Sequence, residues 1–266
     1  MVYLRVIDTG ANDGLYNMAL DEALFESLKM GGPPTLRFYQ FLPPAITIGW
    51  HQKITDINLN LSHRLMSLRL KCKSRGIQVI RRPTGGRAVF HKGDLTYSLT
   101  ISEQDPILGG NSLDVYKKVG LAFSTGLKTI GVEAQLVKSK HNKYHKSPGC
   151  FSSLSRYELQ VAGKKILGSA QRREDGFILQ QGTIPINTRD KLFEEVRPQE
   201  VRPQGEKVIG LSQIMGCNFD SAQIMEAIKN GFKAIGVKIG DGTLTLKERK
   251  LTTFFLTTQK ALILLI

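Results

Sequence analysis

The amino-acid sequence predicts an α+β fold, and three observations predict it. Short alternating or β-branched runs bounded by turn residues recur along the first two thirds of the 266-residue chain. Amphipathic helical stretches interrupt them. Several of the extended runs adjoin in hairpin fashion, which argues against a purely parallel doubly wound sheet.

The elements follow in order. Met18 to Met30, "MALDEALFESLKM", has Leu20, Ala23, Leu24 and Leu28 on one helical face, with Asn17 as expected cap and Gly31-Gly32-Pro33 as its stop. "TLRFYQF" and "AITIG" read as strands separated by the Pro43-Pro44 turn. Residues 56–75 read as a very basic helix ending near Gly76, and "QVIRR" as a short strand. "LTYSLTIS" alternates as a strand from Leu95 to Ser102. Ser112 is the expected cap of a helix with Val115, Val119, Phe123 and Leu127 on one side and Gly131 at its end. "VEAQLV" reads as a strand and "KSKHNKYHKSPG" as a basic loop. "YELQVAG" and "KKILGSAQ" read as a hairpin around Gly163, and "FILQQGTIPI" continues the sheet. Asp220 is expected to cap a helix with Ile224, Ile228 and Phe232 facing inward.

A tandem pentapeptide, "EVRPQEVRPQ", is too short for a structural repeat and reads as a polar linker. The expected organisation is a main α+β domain over 1–195, a linker over 196–206 and a small, mostly helical C-terminal segment over 207–266. With 41% hydrophobic residues the chain has enough apolar material for one sizeable core. Its formal charge of +14 favours an acidic or polyanionic partner. Three scattered cysteines, Cys72, Cys150 and Cys217, exclude a disulfide framework and a CxxC zinc site. No metal-ligand cluster, P-loop or GxGxxG motif is visible. The N-terminus lacks the apolar run of a signal peptide, and the terminal "ALILLI" is too short to span a bilayer. A cytoplasmic location is expected.

Chemistry concentrates in two places. "RRPTGGRAVFH", Arg81 to His91, sets three arginines around Gly85-Gly86. Adjacent glycines permit positive φ and close approach, and their N–H groups can cradle an anion or oxyanion. A solvated basic turn explains the same residues. His91 reads as a strand-end histidine or a polar group lining a pocket. The second place is "SPGCFSS". Cys150 follows Pro148-Gly149 in a lysine-rich loop, surroundings that favour a thiolate; a buried, inert thiol is the alternative. Lys164 and Lys165 are adjacent in a strand and must face opposite ways, so one of them points to the inner side, where a buried ammonium needs a reason. Gly168, Ser169 and Ala170 form a smooth wall on which an acyl chain could lie.

"RRPTGGRAVFHKGDLTYS" and "CFSSLSRYELQVAGKKILGSAQ", in that order, together with "YNMALDEAL" and "LRFYQFLPPAITIGW", resemble the lipoate/octanoate-transferring family, over about Arg5 to Phe193. The likeness is greatest to its Gram-positive-type octanoyltransferases with a cysteine in this loop. The resemblance implies a biotin/lipoate protein ligase-like fold, related to class II synthetases, with a mixed, largely antiparallel sheet flanked by helices. It implies octanoyl transfer from acyl carrier protein, through an acyl thioester on Cys150, to a lysine of a lipoyl domain such as the glycine cleavage H protein. Lys165 would lower the thiol's pKa. Arg82, Gly85, Gly86, Arg87, His91, Gly168, Ser169 and Ala170 would form the acyl pocket. No cofactor or metal, no nucleic acid and no membrane are implied, and the chain is expected to be a monomer. The terminal "TTFFLTTQKALILLI" departs from the family's usual polar helix.

An ATP-dependent lipoate ligase is the nearest rival. Ligases of the family usually lack a cysteine at the Cys150 position and carry an Asn-Asp pair where this chain has "SSLSRYE". An amidotransferase moving octanoyl between lipoyl domains also uses a cysteine, and motifs separate it poorly. A nucleic-acid module would suit the charge, but the basic residues lack aromatic interleaving.

Overall fold

The computed structural model describes residues 3–52, 72, 74–138, 157–187 and 210–264. The basic helix expected over 56–75 lies almost wholly outside them, as do Cys150, most of the lysine-rich loop and the linker.

A six-stranded mixed sheet forms the middle of the molecule, in the order β10-β11-β6-β2-β1-β12. Its strands are β1 (Tyr3–Asn12), β2 (Thr35–Phe41), β6 (Asp94–Ser102), β10 (Gly168–Glu174), β11 (Phe177–Pro185) and β12 (Lys238–Asp241). β2, β6, β11 and β10 run antiparallel in turn, whereas β1 is parallel to both β2 and β12. Helices α2 (Ser112–Lys128) and α4 (Ser221–Ala234) belong to the core on one face. Helices α1 (Gly14–Lys29) and α5 (Leu246–Leu264) pack together on the other. A short helix, α3 (Leu211–Met215), enters the first core through Leu211.

Two small sheets flank the large one. The first is β3 (Ala45–Ile48) between β4 (Gln78–Arg81) and β5 (Val89–His91). Ile80 and Ala45 bring it against Met18, Tyr39 and Phe41 on the α1 side. The second is β8 (Tyr157–Val161) between β7 (Gln135–Lys138) and β9 (Lys164–Lys165).

The strand alternation assigns the faces. Leu36, Phe38, Tyr97, Leu99, Ile178 and Ile184 join the α2/α4 core with Phe123 and Phe232. There α2 and α4 touch backbone to backbone. A Cβ at Gly126 would lie 2.1 Å from the Ala227 carbonyl oxygen, and one at Gly231 1.8 Å from that of Ala122. Thr35, Arg37 and Tyr39 of β2, Thr96 and Ser98 of β6, and Gln181 and Thr183 of β11 fall on the α1 side.

Several local expectations need correction. α1 starts at Gly14, one turn earlier than read, because the Asp13 carboxylate accepts the N–H groups of Leu15 and Tyr16. Asn17 lies inside the helix, where its amide donates to the carbonyls of Asn12 and Gln40. Asn111 rather than Ser112 caps α2, in a reciprocal box with Asp114. "KKILGSAQ" is not one strand. Lys164 and Lys165 pair with β8 across the Ala162-Gly163 turn, where both residues have positive φ, and Gly168 onward joins the main sheet. β1 and β12 had no counterpart in the sequence reading. The segment expected as a small C-terminal part adds β12 to the edge of the main sheet and α4 to its core.

The threonine-rich tail is helical. The hydroxyls of Thr252, Thr253, Thr257 and Thr258 each donate to the carbonyl four residues back, so these polar groups are satisfied within the helix itself. Its start is anchored by Glu248, buried and ion-paired with Arg5 of β1. No helix among the described residues is long and apolar enough to cross a membrane.

Candidate active site

A recess opens between the main sheet and the first small sheet. Its floor crosses the large sheet: Gly168, Ser169 and Ala170 of β10, Gln181 to Thr183 of β11, Thr96 of β6, then Tyr39 and Phe41 of β2. Thr47, Val89, His91 and Arg82 line the opposite side, and Met18 of α1 reaches in.

The arginine-glycine turn borders this recess. Arg82 is buried, and its five N–H donors are directed at oxygens of the chain itself. Nη1 meets the Thr47 carbonyl and hydroxyl at 3.1 and 3.2 Å. Nε and Nη2 meet the Gly85 carbonyl at 3.1 and 2.6 Å, and Nη2 also meets the Arg87 carbonyl at 2.8 Å. Arg81 Nη1 lies 2.7–2.8 Å from the carbonyls of Gly49, Trp50 and Gln52. These two guanidinium groups therefore tie neighbouring loops together. Of the two glycines only Gly86 takes positive φ, at 85°, and a Cβ there would lie 2.7 Å from Arg82 Nη2.

His91 is buried and stacked on Phe41 at 4.1 Å. Nδ1 is 2.7 Å from Asp94 Oδ2 and Nε2 is 2.9 Å from Thr47 Oγ1. A carboxylate only accepts, so the assignment that satisfies both neighbours has Nδ1–H donating to Asp94 and Nε2 accepting from the Thr47 hydroxyl. Thr183 also donates to Asp94.

Lys164 is exposed, while Lys165 is turned inward, its side chain only 12% exposed. Its Nζ lies 3.0 Å from Glu158 Oε1 on the adjacent strand, a partner that sequence reasoning did not name. Lys165 stands three residues before Gly168, so one short segment links the ammonium to the recess wall. Cys150 lies outside the described residues. Cys72 is buried, and burial pushes its thiol up to about 11, which disfavours its thiolate at neutral pH.

Sequence reasoning also missed the buried ion pair beneath the recess. Arg37 and Asp21 are fully buried, 2.6 Å apart, and Asp21 further accepts from Ser98, Tyr39 and Gln181. The signal was present: Asn17 and Asp21 are four residues apart on a helix and share a face, and Arg37 has the strand parity of Tyr39.

The family model described as the lipoyl protein ligase A/B catalytic domain matches residues 13–233. The chain belongs to this family. Octanoyltransferase LipM of Carboxydothermus hydrogenoformans is 36% identical over 258 residues, covering 93% of this chain and 92% of that protein. The LipM of Brevibacillus brevis is 35% identical, with 97% and 96% covered. These relatives place the chain among acyltransferases. Among solved structures, a lipoate-protein ligase A bound with ATP superposes with a TM-score of 0.73 at 23% identity, covering 96% of this chain and 94% of that one. Ta0514 of T. acidophilum, a putative lipoate protein ligase with bound lipoic acid, superposes with 0.71 at 23%, covering 97% and 95%. The likeness confirms the α+β, ligase-like fold with its mixed sheet.

Proposed function

We propose that the chain transfers an octanoyl group from octanoyl-acyl carrier protein to a lysine of a lipoyl domain, through a thioester on Cys150. The observation that carries this reading is the narrow recess beside the strand bearing the inward-turned Lys165, in a chain 33–36% identical to octanoyltransferases over more than nine tenths of its length.

In the first half-reaction the Cys150 thiolate attacks the donor's thioester carbonyl. The C–S bond to the carrier breaks, the carrier leaves as a thiol after taking up a proton, and octanoyl-Cys150 remains. In the second, the neutral amine of the acceptor lysine attacks that thioester. An amide forms, the Cys150–acyl bond breaks, and the amine's surplus proton leaves with the sulfur or to solvent. No ATP is consumed, because the donor thioester is already activated. Lys165 supplies positive charge that favours the thiolate and the developing oxyanion. Gly168 to Ala170 and the floor behind them hold the acyl chain, and Gly85, Gly86, Arg87 and His91 border the acyl head. The excess of basic residues steers acidic carrier domains to the enzyme, so raising salt weakens carrier binding more than the cleavage of a small acyl thioester.

The test is intact mass after mixing with octanoyl-acyl carrier protein without ATP. An octanoyl adduct that hydroxylamine removes, absent in Cys150→Ala, is expected. Acylation of a lipoyl domain that requires ATP and free octanoate, with no adduct, would replace this reading with a ligase. An octanoylated lipoyl domain that serves as donor where acyl carrier protein does not would replace it with an amidotransferase.

A further inference from the structure

We infer that Thr84 and Gln181 are positioning residues, a hydrogen-bonded relay that ties the Gly85-Gly86 turn to the buried Asp21–Arg37 pair and so fixes the turn over the acyl recess. The inference rests on the proposed acyl site for its kinetic consequence, but its geometry stands independently.

The relay has a defined direction. Asp21 Oδ1 accepts from Arg37 Nη1 and Ser98 Oγ, both at 2.6 Å; Oδ2 accepts from Tyr39 Oη at 2.7 Å and Gln181 Nε2 at 2.6 Å. The carboxylate offers acceptors only, so Gln181 must present its NH2 group to it. Its second amide proton faces Met18 Sδ at 3.5 Å. Gln181 Oε1 is therefore turned toward the loop, where the Thr84 hydroxyl donates to it at 2.7 Å. Thr84 is wholly buried, and Gln181 nearly so.

What the relay joins gives it meaning. Residues 84–86 have other attachments: the Trp50 N–H donates to the Thr84 carbonyl at 2.9 Å, and Arg82 holds the Gly85 carbonyl. The Gly86 carbonyl also abuts Gly49, where a Cβ would lie 1.9 Å from its oxygen. All of these join the turn to segments bordering the small sheet. The Thr84 hydroxyl joins it to the main sheet, the body that carries Gly168 to Ala170. A Cβ at Gly86 would stand only 3.5 Å from that of Ala170, so the turn closes on this wall. A hydrogen bond at that junction sets the separation of the two walls, and sub-ångström placement matters to a group transfer.

Two substitutions separate the hydroxyl from mere packing. Thr84→Val keeps the shape and removes the donor; Thr84→Ser keeps the donor. The full chain is assayed for octanoyl-enzyme formation from octanoyl-acyl carrier protein, and backbone hydrogen exchange is followed over residues 84–88. Thr84→Val is expected to lower the saturating rate about tenfold with half-saturation nearly unchanged, and to speed exchange in that segment. Thr84→Ser is expected to restore both. Thr84→Val behaving as wild type in exchange, or Thr84→Ser failing as badly as Thr84→Val, overturns the relay. A wild-type chain that takes no octanoyl group sinks the proposed function instead, and the exchange comparison still decides the relay.

Discussion

The two faces of the main sheet are made by alternate residues of the same strands, yet they solve different problems. On the α2/α4 side Phe38, Leu99 and Ile178 pack with Phe123 and Phe232, and the face is mainly apolar, its buried Gln180 bonded to the Tyr97 hydroxyl. On the α1 side Arg37, Tyr39, Thr96, Ser98, Gln181 and Thr183 are equally buried but polar. Apolar packing stabilises whatever shape fills the space, whereas a buried polar set must satisfy every donor and acceptor and so admits few arrangements. The large apolar cluster lies on the first face, and the recess is built on the second.

That contrast can be broken by matched truncations. Phe123→Ala removes a fully buried ring that contacts Tyr97 at 4.8 Å, and is expected to cost about 3–5 kcal/mol in urea unfolding. The protein that remains folded should acylate at close to the wild-type rate. Asp21→Ala leaves Arg37 buried without its carboxylate and is expected to cost a similar 3–5 kcal/mol. Its folded fraction should acylate poorly, because Gln181 loses its anchor. Equal activity per folded molecule in the two variants would remove the distinction between the faces.

A smaller effect sharpens the contrast at the C-terminal helix, where a buried ion pair serves the fold alone. Burial by itself would raise the Glu248 carboxyl, but the Arg5 guanidinium and the Thr245 N–H hold it below the usual 4.5. A depressed carboxyl contributes stability above its unfolded pKa and loses it as pH falls through the folded value. Wild-type stability should therefore decline as pH drops below about 4.5, and Glu248→Gln, weaker at pH 7, should show a shallower decline over that range. Parallel acid limbs would contradict the assignment. Acylation at pH 7 should be unaffected in the folded Glu248→Gln protein.

The smallest effect concerns the thiols. Cys72 is buried, with its thiol pushed up to about 11, and Cys217 is exposed. Iodoacetamide at pH 7.5 (about neutral) should label Cys217 and spare Cys72 in the native chain, as peptide mass mapping would show. Labelling of Cys72 at the same rate would mean that its cluster with Ile46, Ile48, Ile77 and Phe90 opens readily.

The legible parts of the fold were those where local pattern and tertiary role agree. β2, β6 and α2 were readable because their apolar alternation or 3.6-residue period survives in the folded chain. β1 and β12 were not, since strands this marginal in pattern are set by pairing: β12 has four residues and exists as a partner to β1. Lys164 to Gln171 looked continuous because nothing in its alternation marks the change of sheet between Lys165 and Gly168. At the site, "RRPTGG" and "GSA" stood out by composition, but the roles of Arg81 and Arg82 did not. Their bonds go to backbone carbonyls up to 35 residues away, and composition does not reveal backbone acceptors. Asp21 was easy to pass over for a related reason, since it is one of three acidic residues on α1, with Glu22 and Glu26, and reads as solvent-facing until Arg37 is brought to it.

The central claim is that the octanoyl chain lies on the polar face of the sheet, along Gly168 to Ala170. Ala170→Phe tests it most directly by filling the recess while leaving the opposite core untouched. Thioester formation on Cys150 should be lost from an octanoyl donor and retained from an acetyl donor, measured by intact mass on the same protein. If Ala170→Phe takes up octanoyl as fast as wild type, the chain lies elsewhere and the account fails.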